Sequence, residues 1–188
     1  MEKQMKLMKV VVIGPESTGK STLCRELAAH YNSYWVPEYA REYLLANGKE
    51  YTYEDLSEIA AGQAALEDDI IGALSLRGLQ QRRGKLPVFI DTDLYVIKVW
   101  SEFVFNKCDN RILNGIAGRE CDLYLLCGTD LPWVKDELRE YPDLATREKL
   151  YHYYKDALVN QYKPWVEICG NVEERLRKAI RSINLLLE

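Results

Sequence analysis

The chain has 188 residues, 47% of them hydrophobic and 29% charged, with a formal net charge of −4. That length supports one domain with a real core, and the balance is that of a globular protein. The acidic excess argues against nucleic-acid binding as the main activity, which leaves a basic footprint.

The N-terminal stretch MEKQMKLMKVVVIG is too short an apolar run for a signal peptide or a membrane span. A cytoplasmic protein with no membrane partner is therefore expected. VVVI (10–13) reads as a strand buried on both faces, because it is continuous rather than alternating. A helical segment follows Lys20, with Leu23, Leu27 and Ala28 inward, then a weaker strand, SYWV (33–36). The longest helical stretch is 53–83, with Leu56, Ile59, Leu66, Ile70 and Leu74 on its inner face. Gln63 falls on that apolar face, and Gly62, Gly72 and Gly78 predict bends or close packing. VFI (88–90), LYLL (123–126) and WVEIC (165–169) complete the strands. Residues 129–149 are charged and loop-like, passing into a helix near Thr146, and Val172, Leu176, Ala179, Ile180, Ile183 and Leu187 mark a final helix. Alternating strands and helices imply an α/β fold, a parallel sheet covered on both sides. The expected organisation is a single domain, 1–188, with a lid-like segment near 129–148.

Cys121, Cys127 and Cys169 sit in apolar runs, and no two of the five cysteines form a C-x-x-C pair, so buried thiols in a reducing compartment are expected. His30 and His152 are far apart and lack ligand spacing, which argues against a histidine-based metal centre.

Directly after the first strand, Gly14, Gly19, Lys20 and Ser21 stand at the spacing G-x-x-x-x-G-K-S. Glycines let the backbone curl so that several N–H groups face one anion, and the following helix adds its positive end. Gly14, Glu16, Ser17, Thr18, Gly19, Lys20, Ser21 and Thr22 are the candidate nucleotide contacts. Lys20 reaches the β and γ phosphates and Ser21 ligates Mg²⁺. Glu16 is out of place in an anion site and is expected to point away from the phosphates or toward the sugar side of a co-substrate. Asp91 closes a buried strand, where the magnesium water shell is gripped. Asp93, two residues on, reads either as a site carboxylate or as a helix N-cap.

Residues 106–109 spell Asn-Lys-Cys-Asp, a guanine-reading signature. Val96, Val99, Trp100 and Phe103 precede it at helical spacing, and Asp91-Thr92-Asp93-Leu94 lacks the glycine of D-x-x-G. The motif therefore reads as a helix end and loop, and a GTPase is the weaker alternative. A small-molecule kinase also needs a carboxylate to orient the acceptor hydroxyl and cations over the transferred phosphoryl. PEYARE (37–42) offers Glu38 and Arg41 beside the second strand, and the charged loop offers Arg139 and, further on, Arg147. Among the aromatics Trp35, Tyr39, Tyr43, Tyr95 and Trp100, one or two are candidates to stack on a flat ring.

GPESTGKSTL, EYAR, the Gly62-Gln63 pair, DTD, KVW, LLC and PW…D…LR, in this order, resemble the ribosylnicotinamide kinase domain of NadR-type proteins over nearly the whole chain. The resemblance implies a P-loop kinase-like three-layer α/β/α fold around a five-stranded parallel sheet. It implies transfer of phosphate from ATP, with Mg²⁺, to the 5′-hydroxyl of nicotinamide riboside. Lys20, Glu38, Asp91 and Arg139 would be catalytic, Ser21 and Asp91 would hold the metal, and Glu38, Arg41, Gln63, Asp93 and Trp100 would contact the nucleoside. Glu38 and Asp93 suit a cationic ring and a ribose diol. The chain departs from the family in two ways. An adenylyltransferase domain would need an H-x-G-H-type motif that is not here, so a stand-alone kinase domain or a fragment is expected. The lid reads Asp136-Glu137-Leu138-Arg139 where the family often has D-G-L-R, which predicts a stiffer lid and a negative charge near the phosphates. A non-catalytic ATP sensor is the second reading.

Overall fold

β1 (Lys6–Ile13) lies at the middle of the sheet, hydrogen-bonded on both edges and covered on both faces. The side chains of Val10–Ile13 are therefore apolar on both faces, while Lys9 before them pairs with Glu67 at 2.8 Å. Val10 and Val12 pack with Leu23, Leu27, Ala179 and Ile183 on one face, and Val11 and Ile13 with Val96, Leu150 and Tyr154 on the other. The structure, a computed structural model, describes residues 6–76 and 84–188.

After β1 come α1 (Lys20–His30), β2 (Trp35–Val36), α2 (Tyr39–Asn47), α3 (Tyr53–Leu76), β3 (Lys85–Asp91), α4 (Leu94–Phe105), α5 (Asn110–Gly118), β4 (Leu123–Cys127), α6 (Leu144–Val159), β5 (Trp165–Ile168) and α7 (Val172–Leu187). All strand pairs are parallel, in the order β2-β3-β1-β4-β5. The five apolar runs are these five strands, with helices on both faces of the sheet, as a three-layer α/β/α fold requires. The weak run SYWV contributes only two residues of strand. The helix expected over 53–83 is described as far as Leu76, and Gly78 with the rest of that stretch lies outside the described residues. Gly62 gives close packing: a Cβ there would sit 2.0 Å from the Tyr39 ring, whereas Gly72 faces open space within the continuous helix α3.

Asn-Lys-Cys-Asp falls where its flanking periodicity puts it. Asn106 caps the end of α4 in the left-handed region, and the Asp109 side chain accepts the Arg111 amide to start α5, a short helix without an apolar stripe long enough to announce itself. The helix after the charged loop starts at Leu144, two residues before the expected position, because Asp143 caps it by accepting the Thr146 amide at 2.7 Å.

The loops after the adjacent strands β1 and β3 meet at the carboxyl edge of the sheet, where ligands sit in such folds. Their floor is braced by Arg175 of α7, which is 3% exposed. Its guanidinium donates to the carbonyls of Gly170 at 2.7 Å, Thr18 at 2.9 Å and Gly128 at 3.1 Å, and it pairs with Asp130. Arg175→Leu leaves those buried acceptors without a donor. It should cost roughly 3 kcal/mol or more of stability, read as a lower urea midpoint with an unchanged slope.

Candidate active site

The chain leaves β1 at Gly14 with φ +142°, and a Cβ there would lie 2.6 Å from the Cys127 carbonyl oxygen. Only glycine turns this corner against β4. The loop then curls back on itself: the Thr18 hydroxyl donates to the Pro15 carbonyl at 2.7 Å, and the Lys20 ammonium donates to the same oxygen at 2.9 Å. Gly19, also left-handed, hands the chain to α1. The result is a cradle of backbone N–H groups at a helix N-terminus, a shape made for phosphate.

This cradle forms one wall of a cleft of about 510 Å³. Gly14, Glu16, Ser17, Thr18, Gly19, Lys20, Ser21, Thr22 and Asp91 line it together with Glu38, Arg41, Trp100 and Arg139. Thirteen of the fifteen residues given nucleotide, metal, catalytic or nucleoside roles from the sequence thus converge. The two exceptions are Gln63 and Asp93.

Asp93 does not reach the cleft, because Thr92 turns the chain between the two carboxylates. Thr92 is buried with φ +72°, a strained conformation for a β-branched residue. Asp91 ends up in the cleft, while Asp93 caps α4 by accepting the Tyr95 amide at 2.9 Å and accepts the Tyr124 hydroxyl at 2.9 Å. Its helix-cap reading is the one the structure bears out. Gln63, 2% exposed, lies behind the wall. Its Oε1 accepts the Tyr39 amide at 2.8 Å and its Nε2 donates to the Pro37 carbonyl at 3.4 Å, so it grips the backbone on both sides of Glu38. A polar residue on an apolar helix face was the signal. Its target is main chain rather than a ligand.

Residues 129–143, the segment expected as a lid, form the irregular connection between β4 and α6, and Asp136, Leu138, Arg139, Glu140 and Tyr141 of it line the cleft. Arg41 lines the cleft and makes a two-pronged pair with Asp136 of this segment, at 2.9 and 3.1 Å. That guanidinium holds the Asp136 carboxyl below its ordinary pKa. Glu16 lines the cleft, but both of its carboxylate oxygens are taken by the lid. Arg139 lines the cleft and donates to the Val134 carbonyl. Glu137 is no part of the wall: it is exposed, with Lys49 at 3.6 Å, so the charge expected near the phosphates is directed to solvent. Arg147, the further lid candidate, is buried and reaches the Leu131 carbonyl at 3.5 Å, which supports the lid from below.

Sequence reasoning missed Arg25, Phe103, Tyr141 and Tyr154, which also line the cleft. Arg25 stands four residues after Ser21, on the same face of α1, and that spacing was available. The aromatics come from α4, α6 and the lid, and no local pattern joins them. Trp100 is held rigidly, its Nε1 donating at 2.7 Å to the Tyr51 hydroxyl, which reaches Glu140 of the lid at 3.2 Å.

The electrostatics centre on Asp91, 1% exposed. Burial, then the negative charge of Glu38, pushes its carboxyl up to about 6, while Lys20, the Ser21 hydroxyl and Arg25 pull the other way. Its Oδ1 has no hydrogen-bond partner among the described residues. An orphaned buried carboxylate oxygen beside a serine hydroxyl fits a hydrated divalent cation, with Ser21 and Asp91 as the residues to hold it.

Residues 9–175 match the AAA domain family. The chain belongs to that family. This AAA domain is 26% identical over 183 residues to the trifunctional NAD biosynthesis/regulator protein NadR of Escherichia coli, covering 95% of the chain and 42% of that protein. It is 30% identical over 153 residues to NadR of Salmonella typhimurium, covering 79% and 35%. It spans less than half the length of these curated relatives. Among solved structures, a NadR protein in complex with NR superposes with a TM-score of 0.73 at 23% identity, covering 96% of this chain and 49% of the other. A NadR protein in complex with NAD and AMP-PNP gives 0.69 at 23% identity, covering 94% and 48%. Thymidylate kinase from Ehrlichia chaffeensis gives 0.64 at 12% identity, covering 95% and 99%. The fold of this AAA domain is that of P-loop kinases. No helix among the described residues is long and apolar enough to cross a membrane.

A raised carboxyl pKa means that the ionised form costs stability. For Asp91 the cost is absent below its unfolded value near 4 and develops as the pH rises through about 6. Asp91→Asn should therefore raise the Tm of the ligand-free protein at pH 8, by the equivalent of roughly 2–3 kcal/mol, and leave it close to wild type at pH 4. Thermal unfolding across pH 4–8 checks this.

Proposed function

We propose that this chain is an ATP-dependent nucleoside kinase that transfers the γ-phosphate to the 5′-hydroxyl of nicotinamide riboside, giving nicotinamide mononucleotide. The observation that carries the reading is the single cleft in which the phosphate cradle and Asp91 face Glu38 and Trp100. A donor half and an acceptor half share one cavity, as direct phosphoryl transfer requires. The relatives solved with AMP-PNP and with NR support the choice of donor and acceptor.

In this reading the loop amides and Lys20 bind the β and γ phosphates, and Ser21 with Asp91 holds hydrated Mg²⁺. The cation supplies charge neutralisation on the phosphate oxygens. Glu38, fixed by the grip of Gln63 on its neighbours, accepts the proton of the 5′-hydroxyl as its oxygen bonds to the γ phosphorus and ADP leaves. Arg139 lies over the transferring group, and the lid keeps water out. The aromatic wall of Trp100, Phe103 and Tyr154 suits a flat ring. Glu137 lies away from the cleft, so its charge does not oppose the bound phosphates in this reading.

Incubation with ATP, Mg²⁺ and a panel of nucleosides, read by mass spectrometry, should give nicotinamide mononucleotide as the dominant product. Phosphorylation of another nucleoside in its place would correct the acceptor, and no phosphorylated product at all would overturn the kinase reading. Lys20→Ala should abolish turnover while circular dichroism stays unchanged. Glu38→Gln should lower kcat by roughly 100-fold; a wild-type kcat in that variant would move proton acceptance elsewhere.

A further inference from the structure

A carboxylate inside a phosphate loop opposes the anion the loop is built to hold. Glu16 removes that conflict by turning its charge away from the cradle. Its Oε1 accepts the Trp133 indole N–H at 3.0 Å and the Tyr141 amide at 2.8 Å, and its Oε2 accepts the Glu140 amide at 2.8 Å. The neighbouring Ser17 hydroxyl accepts the Val134 amide at 2.9 Å and donates to the Pro132 carbonyl at 3.5 Å. The lid is thus tied to the loop at 132–134 and again at 140–141. Arg139 sits next to the second tie, and its guanidinium reaches back to Val134 at the first. On the other side of the cleft, Asp136 is held by Arg41.

We infer that Glu16 is a positioning residue: it docks the lid onto the phosphate loop and so fixes where Arg139 stands over the cleft. Hydrogen bonds to an ionised acceptor are the stronger kind, and three donors from a segment with no helix or strand of its own converge on this one group. The lid has no other way to satisfy the Glu140 and Tyr141 amides within secondary structure. The loop that would cradle the donor phosphates is therefore also the base on which the lid rests. The inference builds on the kinase reading of the cleft.

The test measures amide hydrogen exchange by NMR on the ligand-free full chain, beside steady-state kinetics. In Glu16→Gln and Glu16→Ala the Glu140 and Tyr141 amides should exchange roughly tenfold faster or more, while amides in β1 and β3 keep their protection. With nicotinamide riboside as acceptor, kcat should fall by roughly 10- to 100-fold, and the KM for ATP should stay within about threefold. Trp133→Phe removes one donor and leaves the loop untouched; it should shift both readouts in the same direction by less. Unchanged exchange at Glu140 and Tyr141 in Glu16→Ala would overturn the inference, as would a loss confined to the KM for ATP. The exchange measurement needs no turnover. If the wild-type chain phosphorylates no nucleoside, the kinase reading falls, and the exchange rates alone uphold or overturn the docking.

Discussion

One buried guanidinium holds the working edge of this molecule together. Arg175 reaches from α7 to the carbonyl of Thr18 in the phosphate loop, to Gly128 after β4 and to Gly170 after β5, and pairs with Asp130. Three loops that end or follow three different strands are thereby held in one arrangement. A lysine would be a point charge where a planar fork is needed, because the acceptors surround the group in several directions. The geometry of the cradle depends on this floor: Gly14 passes the Cys127 carbonyl with no room for a side chain, so β4 and the loop cannot shift independently.

Above that floor the cleft gathers charges of both signs under partial burial. Asp91 and Glu38 repel each other, and Lys20 and Arg25 offset them. The ligand-free site therefore carries an unfavourable local balance, the condition under which a cation gains most by binding. Backbone strain accompanies it, since Thr92 is held at positive φ so that Asp91 faces in and Asp93 faces out. Strain of about 1–3 kcal/mol is typical for such a residue and persists only where surrounding structure over-determines it. Here the Thr92 amide donates to the Val12 carbonyl at 3.1 Å, and Tyr124 and the start of α4 hold Asp93.

The lid is built on different physics. It has no regular structure between Gly128 and Asp143 apart from turns, and several of its main-chain groups are met by side chains from outside itself. Glu16 and Ser17 hold it at 132–134 and again at 140–141, Arg41 holds Asp136 between them, and Arg147 reaches the Leu131 carbonyl. A few exposed or half-buried polar contacts are worth far less than a packed core. Segments held this way are in general less protected against local opening than a central sheet.

Much of this was legible in the sequence. Continuous apolar runs named the strands because a parallel sheet covered on both faces buries successive side chains. The glycine and lysine spacing named the loop because backbone curvature and anion binding both demand it, and helical spacing before Asn-Lys-Cys-Asp exposed that motif as a helix end. The sequence also determined that Gln63 was out of place on an apolar face, though not that its partners are the backbone of Pro37 and Tyr39. Only the tertiary structure decided that Asp93 turns away, that Glu16 grips the lid, that Arg41 meets Asp136 and that Arg175 braces the floor. Those outcomes join residues separated by up to 157 positions, as between Thr18 and Arg175. Local patterns record periodicity and backbone conformation. They carry no record of which distant acceptor a side chain meets once the sheet has closed.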